Sequence, residues 1–304
     1  MANPWDPERT VSAGLACALI DSQFPVLAPA RVEPFGAGWD NTAFLVNDEL
    51  VFRFPRRQIA IEGLETEARL LPMLASLVAV PIPVPRWVGH PEARYPWPFA
   101  GYRKLSGRTA YGAWLHDDVR ASLARPLADF LAALHSVRLE DAEEWGVGPD
   151  VHGRFDLARL GPKIAKSLED LVNREVINDP RPWLDVIDSA SAVSTFGRTA
   201  FVHGDLYARH VLVDDGGRLS GIIDWGDVHW GNPAGDLSIG WSFLPPAARN
   251  VFFATYGSVD DASLMLARLR ALLYATLLEA YGRDCGDADL VSEGLRALRC
   301  IVMT

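Results

Sequence analysis

The apolar residues of this chain change their period part-way along, and that change limits the folds open to it. Up to about residue 105 they fall in short runs that read as strands. "RVEPFGAGWDNTAFLVNDELVFRFPRR" predicts strands with a turn at Asn47-Asp48-Glu49, and "VPRWVG" and "FAGYRKLSG" predict two more. Two helices accompany them: 8–22, with Val11, Leu15 and Ile20 near one face, and 65–77, which groups Leu70, Met73 and Leu74. After residue 110 the spacing turns helical. Leu127, Phe130, Leu131 and Leu134 line 121–137, further helices follow at 155–172 and 182–193, and the chain is helical again from Gly235. Strands followed by helices predict an α+β chain: an antiparallel-sheet region over 1–105 and a mainly helical region over 106–304.

One stretch interrupts the helical region. "FVHGDLYARHVLVDDGGRLSGIIDWGD" (201–227) reads as short strands, with "DDGG" as a hairpin turn. Asp205 falls in a loop between two apolar strands, where a rigid scaffold can hold a reacting group. Asp224 ends "LSGIID", so its carboxylate is expected to project from a strand end. His210 lies between them. Two carboxylates so placed can divide labour: one orients or deprotonates a hydroxyl, and the other holds a hard divalent cation.

Composition narrows the partners. The 304 residues are 49% hydrophobic and 22% charged, an ordinary globular profile. The net charge of −10 lies in the second half, since 1–139 carry 14 acids and 14 basic residues while 140–304 carry 25 and 15. Nucleic acid is excluded as an expected partner, and a cationic ligand suits the second half. No apolar run approaches the ~20 residues of a membrane span. The opening "MANPWDPERT" has no leader pattern. Cys17, Cys285 and Cys300 are scattered and read as buried small hydrophobes in a reducing, cytoplasmic compartment. His152 and His229, beside glycines, read as surface or turn residues. Trp114, Trp145, Trp230 and Trp241 can line a pocket, but core packing is the plainer reading.

"HGDLYARHVLVD", "GIIDWGD" and "NPAGDL" together resemble the core of the aminoglycoside phosphotransferases, over roughly residues 30–245. These are the small-molecule branch of the protein-kinase-like fold, alongside macrolide, choline and homoserine kinases. The resemblance implies a bilobal fold with Asp205 as catalytic base, Asp224 as a Mg²⁺ ligand, His203 shaping the loop and Asp236 structural. His210 stands where the family usually has Asn. It can bind the metal through a ring nitrogen, as in macrolide kinases and some aminoglycoside 2″-kinases that carry His there. It can instead hold Asp205, or mark a dead site.

The resemblance also assigns the nucleotide side, with ATP or GTP as co-substrate. Gly36 and Gly38 in "FGAGWDNTAFLV" fit the phosphate-covering loop. Arg53 takes the place of the usual strand lysine, with Glu67 as its partner and Glu65 as the rival. Residues 103–105, Arg103 and Leu105 included, fit the hinge that pairs with a purine. The expected acceptor is a cationic small molecule of the aminoglycoside type, acted on by a monomer or weak dimer. The rivals are a macrolide, a homoserine- or choline-type metabolite, and a pseudokinase that binds nucleotide without turnover.

Overall fold

The computed structural model describes residues 6–113, 115–195 and 197–303. Internal contacts divide the chain into two units. The first runs to Leu105 and takes in Trp225–Asp227; the second comprises Ser106–Asp224 and resumes at Val228.

The first unit opens with α1 (Ala13–Gln23), followed by β1 (Val32–Ala37), β2 (Asn41–Val46), β3 (Leu50–Pro55), α2 (Ala60–Leu74), β4 (Pro85–Gly89) and β5 (Phe99–Arg103). The strands form one antiparallel sheet in the order β1-β2-β3-β5-β4. The expected turn closes β2 onto β3: Asn47 and Asp48 take φ of 50° and 63°. These two residue types tolerate that left-handed backbone best after glycine. Aromatic rings fill the core. Phe54 stacks on Phe99 at 4.6 Å, and Phe44 and Tyr95 meet Phe54 edge-on. α1 starts at Ala13, later than its apolar pattern, because the Ser12 hydroxyl caps it by accepting the Leu15 amide. α2 runs from Ala60 rather than residue 65 and buries Leu64, Glu67, Leu70, Leu71 and Leu74 along one face.

The second unit holds β6 (Arg108–Thr109), α3 (Asp117–Ser122), α4 (Ala124–Leu134), α5 (Leu139–Glu144), α6 (Leu157–Asn173) and α7 (Arg181–Ser191). Then come β7 (Ala200–Val202), β8 (Val211–Val213), β9 (Leu219–Ile222) and β10 (His229–Gly231). It ends with α8 (Ala234–Leu237), α9 (Ile239–Ser242), α10 (Arg249–Tyr256), α11 (Asp261–Cys285) and α12 (Ala288–Val302). The helix expected over 121–137 is cut short at both ends. Pro126 belongs in a first turn, where its missing N–H costs nothing, so α4 begins anew at Ala124. α11 is apolar nearly all round and is buried along most of its length. Its Leu269, Leu272 and Leu273 pack with Ile164 and Leu168 of α6, Ile187 of α7 and Leu298 of α12. The α11–α12 crossing needs glycine: a Cβ at Gly294 would lie 2.7 Å from the Glu279 amide nitrogen and 2.8 Å from the Ala275 carbonyl oxygen.

Three expectations fail here. Cys285 is exposed and Cys17 half-buried, so only Cys300 of the free thiols is a buried hydrophobe. His229 is buried, because β10 pairs with β7 and places it opposite Val202. Asp224 does not end a strand: β9 stops at Ile222, and Asp224 turns the chain with φ 67°. Among the described residues no helix is long and apolar enough to cross a membrane.

Candidate active site

The loop 203–210 joins β7 to β8, and one fully buried carboxylate holds its start. Asp236 Oδ2 accepts the His203 amide at 2.7 Å and Oδ1 accepts the Gly204 amide at 2.9 Å. His135, which caps α4, has Nε2 3.1 Å from the same Oδ2 and Nδ1 2.8 Å from the Tyr256 hydroxyl. Burial works against charge on Asp236, yet the His135 hydrogen bond and the neighbouring imidazoles hold its pKa below the usual carboxylate range. Gly204, at φ 84°, turns the loop where a side chain would be strained.

The His203 ring closes the loop from behind. Its Nε2 lies 3.1 Å from the Ile223 carbonyl, and its Nδ1 accepts the Asp205 amide at 3.3 Å. That pattern fits the neutral ring, with the proton on Nε2. Burial depresses its pKa to about 4.

The structure brings Asp205, His210 and Asp224 together. His210 Nδ1 lies 2.7 Å from the Asp205 carbonyl oxygen and 3.5 Å from its Oδ2; Nε2 lies 3.2 Å from Asp224 Oδ2. The imidazole is buried, whereas the side chains of Asp205 and Asp224 remain 28% and 46% exposed. Burial disfavours the imidazolium, but Asp224 and Asp205 outweigh it, and the His210 pKa stands above the ordinary imidazole value. With Nδ1–H donating to the carbonyl, the neutral ring would aim an Nε2 lone pair at a carboxylate oxygen. Such a pair needs a proton or a cation between its members.

The spacing of this pair suits a divalent cation, and for Mg²⁺ imidazole nitrogen is a softer ligand than the oxygens that ion prefers. Neighbouring ligands of an octahedral ion with bonds of ~2.1 Å stand about 3 Å apart, close to the Nε2–Oδ2 separation. Among the described residues no group of three or more His, Cys, Asp or Glu is arranged to hold a metal. Two protein ligands suffice for Mg²⁺, which takes its remaining positions from water and substrate phosphates. Asp224 and His210 are the residues that would hold it.

A second cluster lies within the first unit. Arg53 Nη1 of β3 donates to both carboxylate oxygens of Glu67 on α2, at 3.0 and 2.9 Å. Glu67 Oε1 also accepts the Trp225 amide at 3.0 Å. Glu67 is buried and Glu65 exposed, so the burial pattern of α2 selects between the two acids. The remaining predicted residues sit on other elements. Gly36 lies exposed on β1, and Gly38 forms the β1–β2 turn, its amide donating to the Asn41 carbonyl and its carbonyl accepting from Arg56. Arg103 closes β5 and faces Glu49 at 3.5 Å; Leu105, half-buried, follows Lys104, whose amide donates to the Glu49 carbonyl.

Sequence reading missed His135 and Tyr256 behind the loop. The signal was a histidine on the apolar face of "LADFLAALHSV", four residues after Leu131. His152 is an exposed turn residue, as expected. Trp145 packs edge-on against Phe201, Trp230 donates to the Thr199 hydroxyl, and Trp241 lies under the guanidinium groups of Arg249 and Arg268. Trp114 lies outside the described residues.

Residues 31–274 match the family described as "Phosphotransferase enzyme family". The GDP complex of wild-type aminoglycoside 2'-phosphotransferase-IIIa is similar at 29% identity and a TM-score of 0.71, covering 96% of this chain and 99% of that one. The GDP and kanamycin complex of APH(2")-IIia is similar at 30% identity and a TM-score of 0.67, covering 93% and 96%. The uncharacterized protein YcbJ of Bacillus subtilis (strain 168) is 29% identical over 201 residues, 62% of this chain and 60% of that protein. The match thus spans less than two thirds of that relative's length.

Proposed function

The chain belongs to the phosphotransferase enzyme family, and from that premise we propose that it moves the γ-phosphoryl group of ATP or GTP onto a hydroxyl of an aminoglycoside-type small molecule. The observation that carries this reading is one buried imidazole bracketed by two solvent-reaching carboxylates.

Asp205 orients the acceptor hydroxyl and takes its proton as the oxygen attacks phosphorus. Asp224 and His210 Nε2 would hold Mg²⁺, and His210 Nδ1, tied to the Asp205 carbonyl, keeps the ring aimed. A bound Mg²⁺ supplies charge neutralisation for the phosphate oxygens. Arg53, held by Glu67, brings a permanent positive charge to the phosphate oxygens. The backbone at Gly36 and Gly38 approaches the phosphates, and the main chain at Arg103–Leu105 pairs with the purine. Catalysis is mainly positioning and electrostatics, and the fixed loop supplies the positioning.

Two facts support a cationic acceptor: the acid surplus of 140–304, and a 30% identical relative whose complex contains kanamycin. The test is a phosphate-transfer screen of purified protein with ATP and with GTP against aminoglycosides, macrolides and amino alcohols. The expected result is labelled aminoglycoside. Labelled macrolide or amino alcohol alone would replace the acceptor class, and no transfer to any of them would overturn the reading.

A further inference from the structure

Asp205 sits between two peptide units, and polar groups of both are tied down. In the unit before it, the Asp205 N–H donates to His203 Nδ1 at 3.3 Å and the Gly204 carbonyl accepts from the Tyr274 hydroxyl at 3.3 Å. In the unit after it, the Asp205 carbonyl lies 2.7 Å from His210 Nδ1. His203 and His210 belong to the loop itself. Tyr274 comes from α11, 70 residues beyond the carbonyl it meets.

The surroundings of Tyr274 fix the direction of its hydroxyl. The side chain is buried. Its oxygen accepts from Arg270 Nη2 at 3.2 Å, and the same guanidinium lies over the ring, 4.7 Å from the centroid. A hydroxyl that accepts from a guanidinium turns its one proton elsewhere, and here it meets the Gly204 carbonyl. Burial pushes the phenol pKa above its ordinary value, so the proton stays on. The ring stacks on Tyr207 at 4.9 Å, and Tyr207 packs 4.5 Å from the His210 ring.

The carbonyl needs such a partner because of the residue that bears it. With φ at 84° and no side chain, Gly204 lets the peptide that follows it turn over at little cost. That rotation changes ψ of Gly204 and φ of Asp205, two torsions that set where the Asp205 carboxylate points. Asp236 holds the amides of His203 and Gly204, on the near side of the glycine Cα. Tyr274 holds the carbonyl on the far side.

We propose that Tyr274 is a positioning residue for phosphoryl transfer: its hydroxyl locks the Gly204–Asp205 peptide and thereby keeps the Asp205 carboxylate on the acceptor hydroxyl. The inference rests on the phosphotransferase reading given above and adds a residue of α11 to it.

The experiment uses the full chain and an acceptor that wild type labels. Tyr274→Phe keeps the ring and removes the hydroxyl. Transfer should slow roughly ten-fold or more in kcat while both KM values stay within about two-fold, because a misplaced reacting group acts on the chemical step. A double-mutant cycle separates positioning from loss of structure. In Asp205→Asn the group being aimed is already gone, so adding Tyr274→Phe should cost less than about two-fold more. Thermal melting and the stoichiometry of bound nucleotide give the folded fraction of each variant. Full turnover in Tyr274→Phe overturns the role of the hydroxyl. So does a loss that vanishes once rates are normalised to the nucleotide-binding fraction, or one that persists undiminished on top of Asp205→Asn. Each of these leaves the phosphotransferase reading standing. Failure of wild type to label any acceptor overturns that reading, and this inference with it.

Discussion

His210 Nε2 stands 3.2 Å from Asp224 Oδ2 while its Nδ1 is committed to the Asp205 carbonyl. At the proposed metal site a proton and Mg²⁺ would therefore compete for one place. The raised His210 pKa means that the proton's stabilising contribution is full below the unfolded value of ~6.5 and is lost as pH rises through the folded value. Metal binding gains over the same rise.

The first prediction concerns that competition. Apparent Mg²⁺-nucleotide affinity, measured by calorimetry, should climb as pH is raised from about 5.5 to 8, and added Mg²⁺ should restore activity lost on acidification. His210→Asn should retain activity with a flatter slope, and His210→Ala should lose metal affinity. If His210→Asn is as inactive as His210→Ala and extra Mg²⁺ rescues nothing, the imidazole holds Asp205 and not the metal.

His203 gives the opposite sign in a different window. Its folded pKa of about 4 lies below the unfolded ~6.5, so its contribution is present above the unfolded value and is lost as pH falls toward 4. The gap corresponds to about 3 kcal/mol. Protonating Nδ1 also removes the acceptor for the Asp205 amide. Melting temperature should drop between about pH 6.5 and 5 in wild type and much less in His203→Gln. Equal acid sensitivity in both would place the titration elsewhere.

Much of the site was legible because its parts are close in sequence. The loop, the hairpin turn at 214–217 and the metal-side acid fall within 201–227, and the β8–β9 pairing brings Val211 opposite Ile222. The Arg53–Glu67 pair came from the family resemblance, and the burial of Glu67 on α2 separates it from Glu65. What escaped joins distant segments. His135 meets Asp236 across 101 residues, and Arg209 meets Tyr281 on a helix whose all-round apolar pattern hides which face meets the loop. Asp224 was misplaced because an apolar run ending in Asp looks like a strand end, and nothing in it signals the left-handed turn.

Glu67 ties Arg53 to the Trp225 amide, so its loss breaks both contacts. Glu67→Ala should cost about 3 kcal/mol in denaturant unfolding, as for other buried pairs broken on one side. It should also raise the nucleotide KM. Arg53→Lys should weaken nucleotide binding less than Arg53→Ala, since the charge survives and the fork does not. A Glu67→Ala variant of unchanged stability and KM would remove the pair from the nucleotide side.

Asp236 uses both oxygens to hold the loop backbone. Asp236→Asn presents one acceptor where three donors converge, so about 2 kcal/mol of stability should be lost through the unsatisfied amide. Turnover should fall with it while the acceptor KM changes little. Unaltered turnover in a folded but destabilised Asp236→Asn would show that the loop holds its shape without that carboxylate.

The most direct measurement follows transfer of the γ-labelled phosphoryl group from nucleotide to acceptor in wild type and Asp205→Asn, with Mg²⁺-nucleotide affinity measured beside it. Wild type should label the acceptor, and Asp205→Asn should do so roughly a hundred-fold more slowly or worse while still binding nucleotide. Labelling by Asp205→Asn at the wild-type rate would contradict the assignment of the hydroxyl's proton to Asp205.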